Sequence, residues 1–148
     1  MPQDQATGAA AAAYGLEMGR ALASLLGARL LRRGSNEVQW GDVRAVIKSC
    51  RAANTSFGIT AAMLNRLDIA LVAIEDQFGA YDVYEFSVAR FRAGMRDSLS
   101  GRADGSVKLL ARSEVQRHGR AIARFSASEL AVAKASMKAS AARGSDVP

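Results

Sequence analysis

Five basic residues between 106 and 125 have the type and spacing to bind an extended polyanion. On a helix turning about 100° per residue, Lys108, Arg112, Arg117, Arg120 and Arg124 fall on one face. Arginine suits phosphate because its planar guanidinium donates paired hydrogen bonds. The wider stretch 90–124 holds nine basic and three acidic residues, a surplus that equals the formal net charge of +6 of the 148-residue chain. This concentration predicts contact with a nucleic-acid backbone.

A second, smaller basic stripe supports that prediction. Arg44, Lys48 and Arg51 are spaced to share one face of a predicted helix over 37–55. The sequence has no helix-turn-helix spacing, zinc finger or glycine-aromatic RNA-recognition signature, so base readout is not expected. Binding through these eight residues would therefore depend mainly on phosphates and only weakly on base sequence.

His118 is the only histidine, so any histidine chemistry depends on it. Arg112 and His118, with five residues between them, are similar to the arginine–histidine motif of the HEPN ribonucleases, an all-helical family. That resemblance implies RNA cleavage by this pair. The chain departs from the family at Ser113, where a more strongly polar residue is usual. Arg112 and His118 also point about 120° apart on a helix, which favours a buried, hydrogen-bonded histidine.

No other residues form a specific catalytic or metal-binding motif. Cys50 lies on an apolar helical face and is expected to act as a small hydrophobe, although a nucleophilic pair with His118 stays open. An acidic cluster at a predicted helix junction consists of Glu75, Asp76, Asp82 and Glu85. It is interpreted as solvated helix ends, or as a surface that meets a basic patch on another chain. No catalytic residue, metal or cofactor is predicted.

Composition predicts an all-α, single-domain helical bundle of about five or six helices. Alanine and leucine are abundant, no long stretch alternates with period two, and the two prolines are Pro2 and Pro148. The helices are expected over 9–33, 37–55, from a Thr60 N-cap to about 78, 82–99, 106–125, and from a capping box at Ser126–Glu129 to about 142.

Two features of these helices suggest packing surfaces. Gly15, Gly19, Ala23 and Gly27 are spaced four apart and form a ridge of small residues, which predicts close packing against a neighbouring backbone. The last helix has few large apolar residues, which suggests peripheral docking or ordering by a partner. The domain is expected over 9–143, between flexible tails at 1–8 and 144–148.

The N-terminus lacks the layout of a secretory signal, and no apolar run is long enough to span a membrane. Together with the lone cysteine, this predicts a cytoplasmic protein without membrane contact.

The sequence therefore favours a non-catalytic subunit that binds the backbone of RNA or single-stranded DNA within a larger nucleoprotein complex. In size, expected helicity and charge, the chain is similar to the small helical subunits of CRISPR effector complexes. The small-residue ridge and the last helix predict contact with other protein subunits, or self-association, beside the nucleic acid. One alternative is an adaptor or chaperone that binds an acidic protein partner. A HEPN-like ribonuclease is the other.

Overall fold

The chain forms a mixed α/β structure, so the prediction of an all-α helical bundle is wrong. The computed structural model describes residues 5–32, 34–97 and 106–144. Within these ranges, the elements in chain order are α1 (Gln5–Leu26), β1 (Arg29–Leu30), β2 (Glu37–Trp40), β3 (Val43–Cys50), β4 (Ser56–Thr60), α2 (Ala61–Leu64), β5 (Ile69–Glu75), β6 (Tyr81–Ser87), α3 (Val88–Gly94), β7 (Arg96–Asp97), β8 (Val107–Ala111), α4 (Arg112–His118), β9 (Arg120–Phe125) and α5 (Ala127–Gly144).

A six-stranded sheet in the order β1-β2-β3-β5-β6-β9 is the centre of the molecule. β3 and β5 pair in parallel, and the other neighbours pair antiparallel. The connection from β3 to β5 contributes β4 to a second sheet, of order β4-β8-β7. β5 and β6 are joined by a short turn in which Gly79 adopts φ +81, a left-handed conformation that glycine enters without strain.

The two faces of the large sheet bury separate cores. On one face, α1 and α5 cover Ala45, Ile47, Leu71 and Val83 with side chains such as Leu22. On the other face, the small sheet and the short helices cover a second core, which contains Val46, Val72, Phe86, Phe91, Leu110 and Val115. Because β3, β5 and β6 contribute to both cores, the molecule has three layers.

Burial on both faces explains why β5 resembles a helix in the sequence. Five consecutive residues of this strand, from Ala70 to Ile74, are buried. A central strand covered on both sides has a nearly continuous apolar run, which periodicity cannot distinguish from a helix that is apolar all round. The helix predicted from Thr60 to about 78 is therefore only the single turn α2, followed by β5.

The other helices predicted in the interior are also wrong. The segment 37–55 contains the antiparallel strands β2 and β3. The segment 82–99 begins with β6, and its helix, α3, starts only after the N-cap Ser87. The segment 106–125 is divided between β8, α4 and β9. The segment 98–105 and the ends of both predicted tails lie outside the described residues.

Local signals at helix ends are confirmed. The Thr60 side chain accepts a hydrogen bond from the Met63 N–H at 3.2 Å. At the start of α5, the Ser126 hydroxyl accepts from the Glu129 N–H at 3.1 Å, and the Glu129 carboxylate accepts from the Ser126 N–H at 3.2 Å. This reciprocal pair is the predicted capping box.

Helix α1 ends at Leu26 rather than continuing to 33. Gly27 has φ +73, and its N–H donates to the Ser24 carbonyl at 3.2 Å. The next N–H, of Ala28, donates to the Ala23 carbonyl at 2.9 Å. These two bonds form a Schellman motif, which turns the chain out of the helix and into β1.

The small-residue ridge makes a close contact at Gly19, but with a side chain and not with the neighbouring backbone that the spacing predicts. A Cβ atom at this position would lie 2.3 Å from the Asn36 Oδ1 atom, whereas one at Gly15 would have no heavy atom within 4 Å. Asn36 is held there because its Nδ2 donates to the Gly15 carbonyl at 3.3 Å and its own carbonyl accepts from the Ile47 N–H at 2.9 Å. The missing side chain at Gly19 therefore lets the start of β2 approach α1.

Glu37, the residue after Asn36, is held in place by ion pairs of its buried carboxylate. The Glu37 side chain is fully buried and accepts from the Arg66 Nε at 2.6 Å and from the Arg32 Nη2 at 2.7 Å. The hydrogen bond from Arg66 is the main reason why the pKa of Glu37 falls from its ordinary 4.5 to about 2; burial opposes this shift, and Arg32 assists it. This cluster ties β2 to the loop between α2 and β5.

Alanine substitutions at the two helical glycines should have opposite effects. We expect Gly19→Ala to lower the free energy of unfolding by about 1–3 kcal/mol, because Asn36 must move and lose its bond to Gly15. Gly15→Ala, the matched control, should raise it by about 0.5–1 kcal/mol, because alanine favours a helix and meets no obstacle. Urea unfolding measures both, and equal effects at the two sites would contradict the close approach.

The ionised Glu37 should stabilise the protein above about pH 4.5 and lose this contribution as the pH falls towards 2, since the folded-state pKa lies below the unfolded one. By pH 3 the loss should be about 2 kcal/mol. Between pH 6 and pH 3, the free energy of unfolding should therefore fall by about 2 kcal/mol more in the natural chain than in the Glu37→Gln variant. Parallel pH profiles would refute the coupling.

Candidate functional site

The five basic residues predicted to share one helical face lie on three different elements. Lys108 is in β8, Arg112 and Arg117 are in α4, and Arg120 and Arg124 are in β9. The continuous helical stripe that the spacing predicts is therefore absent, because the chain changes from strand to helix and back within this segment.

Carboxylates of the same chain neutralise most of these cations. Lys108 Nζ lies 2.5 Å from the Asp97 carboxylate, and Arg120 lies 3.0 Å from Glu85. Arg124 bridges Asp82 at 2.8 Å and Asp76 at 2.5 Å, and the hydrogen bond from Arg124 is the main reason why the pKa of Asp76 is lowered. The acidic cluster thus meets a basic surface within its own chain, on the neighbouring strand β9.

The two basic residues of α4 have different surroundings. Arg112 donates from Nη1 to the carbonyls of Ala52 and Asn54, both at 2.9 Å, and so supports the loop between β3 and β4. Arg117 is largely exposed, and its one ion pair among the described residues, with Glu114 one helical turn away, has a long separation of 3.7 Å. Of these two side chains, Arg117 is the one available to a phosphate.

The second predicted stripe is also divided, because it lies on and beyond the strand β3. Arg44 is exposed near the start of β3, while burial lowers the pKa of Lys48 further along it. Arg51 follows the strand, and its guanidinium carbon stacks 3.5 Å from the centroid of the Tyr14 ring. The three residues do not form a common surface.

His118 and Cys50 lie in environments that do not match a catalytic pair. The His118 side chain is about 35% exposed, so the predicted buried histidine is wrong; its Nε2 lies 3.8 Å from Glu114. Cys50 is buried, its Sγ lies 3.4 Å from the Asn54 carbonyl, and burial raises the pKa of its thiol. Arg112 is engaged by backbone carbonyls, and the helical fold implied by the HEPN resemblance is absent.

Among the residues with assigned positions, no group of three or more His, Cys, Asp or Glu side chains could hold a metal ion. Within the same part of the chain, no helix combines the length and apolar character needed to cross a bilayer.

The groove between α1 and α5 combines an apolar surface with cations that lack an acidic partner. It has a volume of about 520 Å³ and is lined by Ala13, Leu16, Glu17, Arg20, Lys134, Met137 and Lys138. Its accessible surface is mainly apolar. In the ranges that the structure describes, Arg20, Lys134 and Lys138 form no ion pair. We name this surface the α1/α5 groove.

A smaller cavity adjoins the groove at Lys134, which lines both. Its volume is about 300 Å³, and Tyr14, Glu75 and Tyr81 supply polar groups to its wall. The hydroxyls of Tyr14 and Tyr81 form a short hydrogen bond, and the Lys134 Nζ lies 5.5 Å from the centroid of the Tyr14 ring. Burial is the main reason why the pKa of Tyr81 is raised, so its phenol stays protonated. We name this space the tyrosine cavity.

The distribution of charge along the sequence does not reveal the groove, because its cations lie on two helices that are far apart in the sequence. Arg20 is isolated within α1, and Lys134 and Lys138 lie in the alanine-rich α5. The one sequence signal that points to this region is the small number of large apolar residues in the last helix, which suggests a surface completed by a partner.

No protein-family model matches the chain, and neither the curated proteins nor the solved structures contain a match to it. The geometry of the molecule is therefore the basis on which its function is inferred.

Proposed function

We propose that the protein is a non-catalytic interaction adaptor that binds an acidic amphipathic segment of a partner protein in the α1/α5 groove. The observation that carries this proposal is the combination of Arg20, Lys134 and Lys138 with an apolar surface. An amphipathic segment buries its apolar face in such a groove, and its polar face meets the rim.

The charge of the groove favours acidic residues on that segment. Three basic residues and one acidic residue, Glu17, line the groove. Cations without an acidic partner can gain one on binding, whereas Arg120 and Arg124 would first have to give up their bonds to Glu85, Asp76 and Asp82. Complementary charge raises the association rate and excludes partners of the wrong sign.

The apolar part of the groove gives the segment a second anchor. Leu16 and Met137 are only half-buried, although Met137 packs against the hydrophobic core, and Ala13 is exposed. Methionine adapts to apolar side chains of different shapes, which suits a surface that binds a peptide. Covering these residues would remove apolar surface from water and so favour binding.

A cytoplasmic location belongs to the same proposal, because the free thiol of Cys50 fits a reducing compartment. Binding of a nucleic-acid backbone stays a prediction, and Arg117 and Arg44 are exposed residues that could contribute to it.

The groove can be tested with a fluorescein-labelled, 18-residue helical peptide of leucine and glutamate designed with one apolar face. We expect saturable binding by fluorescence anisotropy. Binding should weaken at least tenfold when every glutamate of the peptide is replaced by glutamine, because charge complementarity is lost. The double variant Arg20→Glu, Lys138→Glu should also bind at least tenfold more weakly.

The matched control is Arg44→Glu, Arg90→Glu, which makes the same charge change at two exposed positions away from the groove. This control should bind the peptide as the natural chain does. Equal loss in both double variants would show unspecific attraction and contradict the groove. A labelled single-stranded RNA of 20 nucleotides gives the competing test. If the protein binds this RNA more tightly than the peptide, and Arg117→Glu abolishes that binding, the nucleic-acid prediction is favoured instead.

A further inference from the structure

The tyrosine cavity holds a hydrogen-bond donor for which the described residues provide no acceptor. The hydroxyls of Tyr14 and Tyr81 bond to each other, so one of the two donates and the other accepts. A phenol carries one hydrogen, and the accepting phenol therefore has its own hydrogen left to donate. Within residues 5–32, 34–97 and 106–144, neither hydroxyl has another hydrogen-bond acceptor.

The charges around this pair favour an anion as the acceptor. Lys134 lines the cavity, and Arg51 stacks on the Tyr14 ring. Glu75 supplies the opposing charge, but its Oε1 already accepts the Ala52 N–H at 3.0 Å. The cavity wall thus holds one cation, Lys134, and one carboxylate that is already hydrogen-bonded, and Arg51, which does not line the cavity, adds a positive charge at the Tyr14 ring.

The apolar part of the wall limits the size and shape of the ligand. Met18, Leu130, Ala127 and Ala131 line the cavity beside the polar groups, and its volume is about 300 Å³. An acidic side chain fits such a site, because its methylene groups contact the apolar wall while its carboxylate accepts hydrogen bonds from the phenol and the ammonium group.

We infer that the tyrosine cavity is a carboxylate subsite that receives one acidic side chain of the segment bound in the α1/α5 groove. The inference rests on the proposed adaptor function, since Lys134 lines both spaces. The subsite fixes the register of the segment, because a carboxylate at one position alone reaches the phenols.

Sodium propionate, which mimics a glutamate side chain, tests the cavity without any peptide. In the chain labelled with ¹³C in its tyrosine rings, we expect propionate to shift the signals of Tyr14 and Tyr81 saturably, with a dissociation constant in the millimolar range. Tyr84, the third tyrosine, packs against the core on the opposite face of the sheet and should not respond. Propionamide has the same shape without the charge and should shift neither signal.

Two lysine variants separate this inference from the adaptor function. Lys134→Gln should weaken propionate binding at least fivefold, whereas Lys138→Gln, which changes the groove alone, should leave it within twofold. Equal shifts with propionate and propionamide, or no effect of Lys134→Gln, would overturn the subsite. Propionate binding without peptide binding would overturn the adaptor function and leave a site for a free small carboxylate.

The designed peptide then assigns the source of the carboxylate. In a set of peptides that each have one glutamate replaced by glutamine, replacement at a single position should weaken binding at least tenfold. The same replacement should have no effect on binding to the Lys134→Gln protein. An even loss at all positions, with propionate binding intact, would refute the assignment to the partner's side chain.

Discussion

Burial of the central strands on both faces is the constraint on which the architecture depends. β3, β5 and β6 place apolar side chains alternately on the two sides of the large sheet, so each side needs a cover. Helices α1 and α5 supply one cover, and the small sheet with α2, α3 and α4 supplies the other. The excursion of β4 between the parallel strands β3 and β5 is what brings the second cover over the sheet.

Charge in this protein has two distinct uses. Along β9, Arg120 and Arg124 pair with carboxylates of β6 and the turn before it, so positive charge fastens an edge strand to its neighbour. Such exposed pairs contribute little stability each, but their charges also discourage pairing of that edge with another sheet. Glu37 is the buried counterpart, where two arginines compensate a carboxylate removed from water.

The α1/α5 groove differs because its cations remain without acidic partners in the described parts of the chain. Arg20, Lys134 and Lys138 line a mainly apolar surface together with one carboxylate, Glu17, and the tyrosine cavity adjoins this surface at Lys134. The groove lies between α1 and α5, and the tyrosine cavity extends from these helices to Glu75 and Tyr81 of the large sheet.

Gly19 shows how much of the packing could be read in advance. The ridge of small residues predicts a close approach, and that approach exists, but the sequence does not reveal that Asn36 makes it. Likewise, the last helix suggests a surface completed by a partner, whereas the groove needs Arg20 from the other end of the chain. Spacing identifies residues on one element and cannot show which elements lie side by side.

The sequence by itself determined the features that depend on neighbouring residues. These are the capping box at Ser126, the Thr60 cap and the position of α5. Tertiary structure decided whether the apolar runs 43–50 and 69–75 became helices or strands, because burial on two faces removes the alternation that marks a strand. It also decided which arginines were neutralised, since Asp82 and Arg124 are 42 residues apart and meet only through strand pairing.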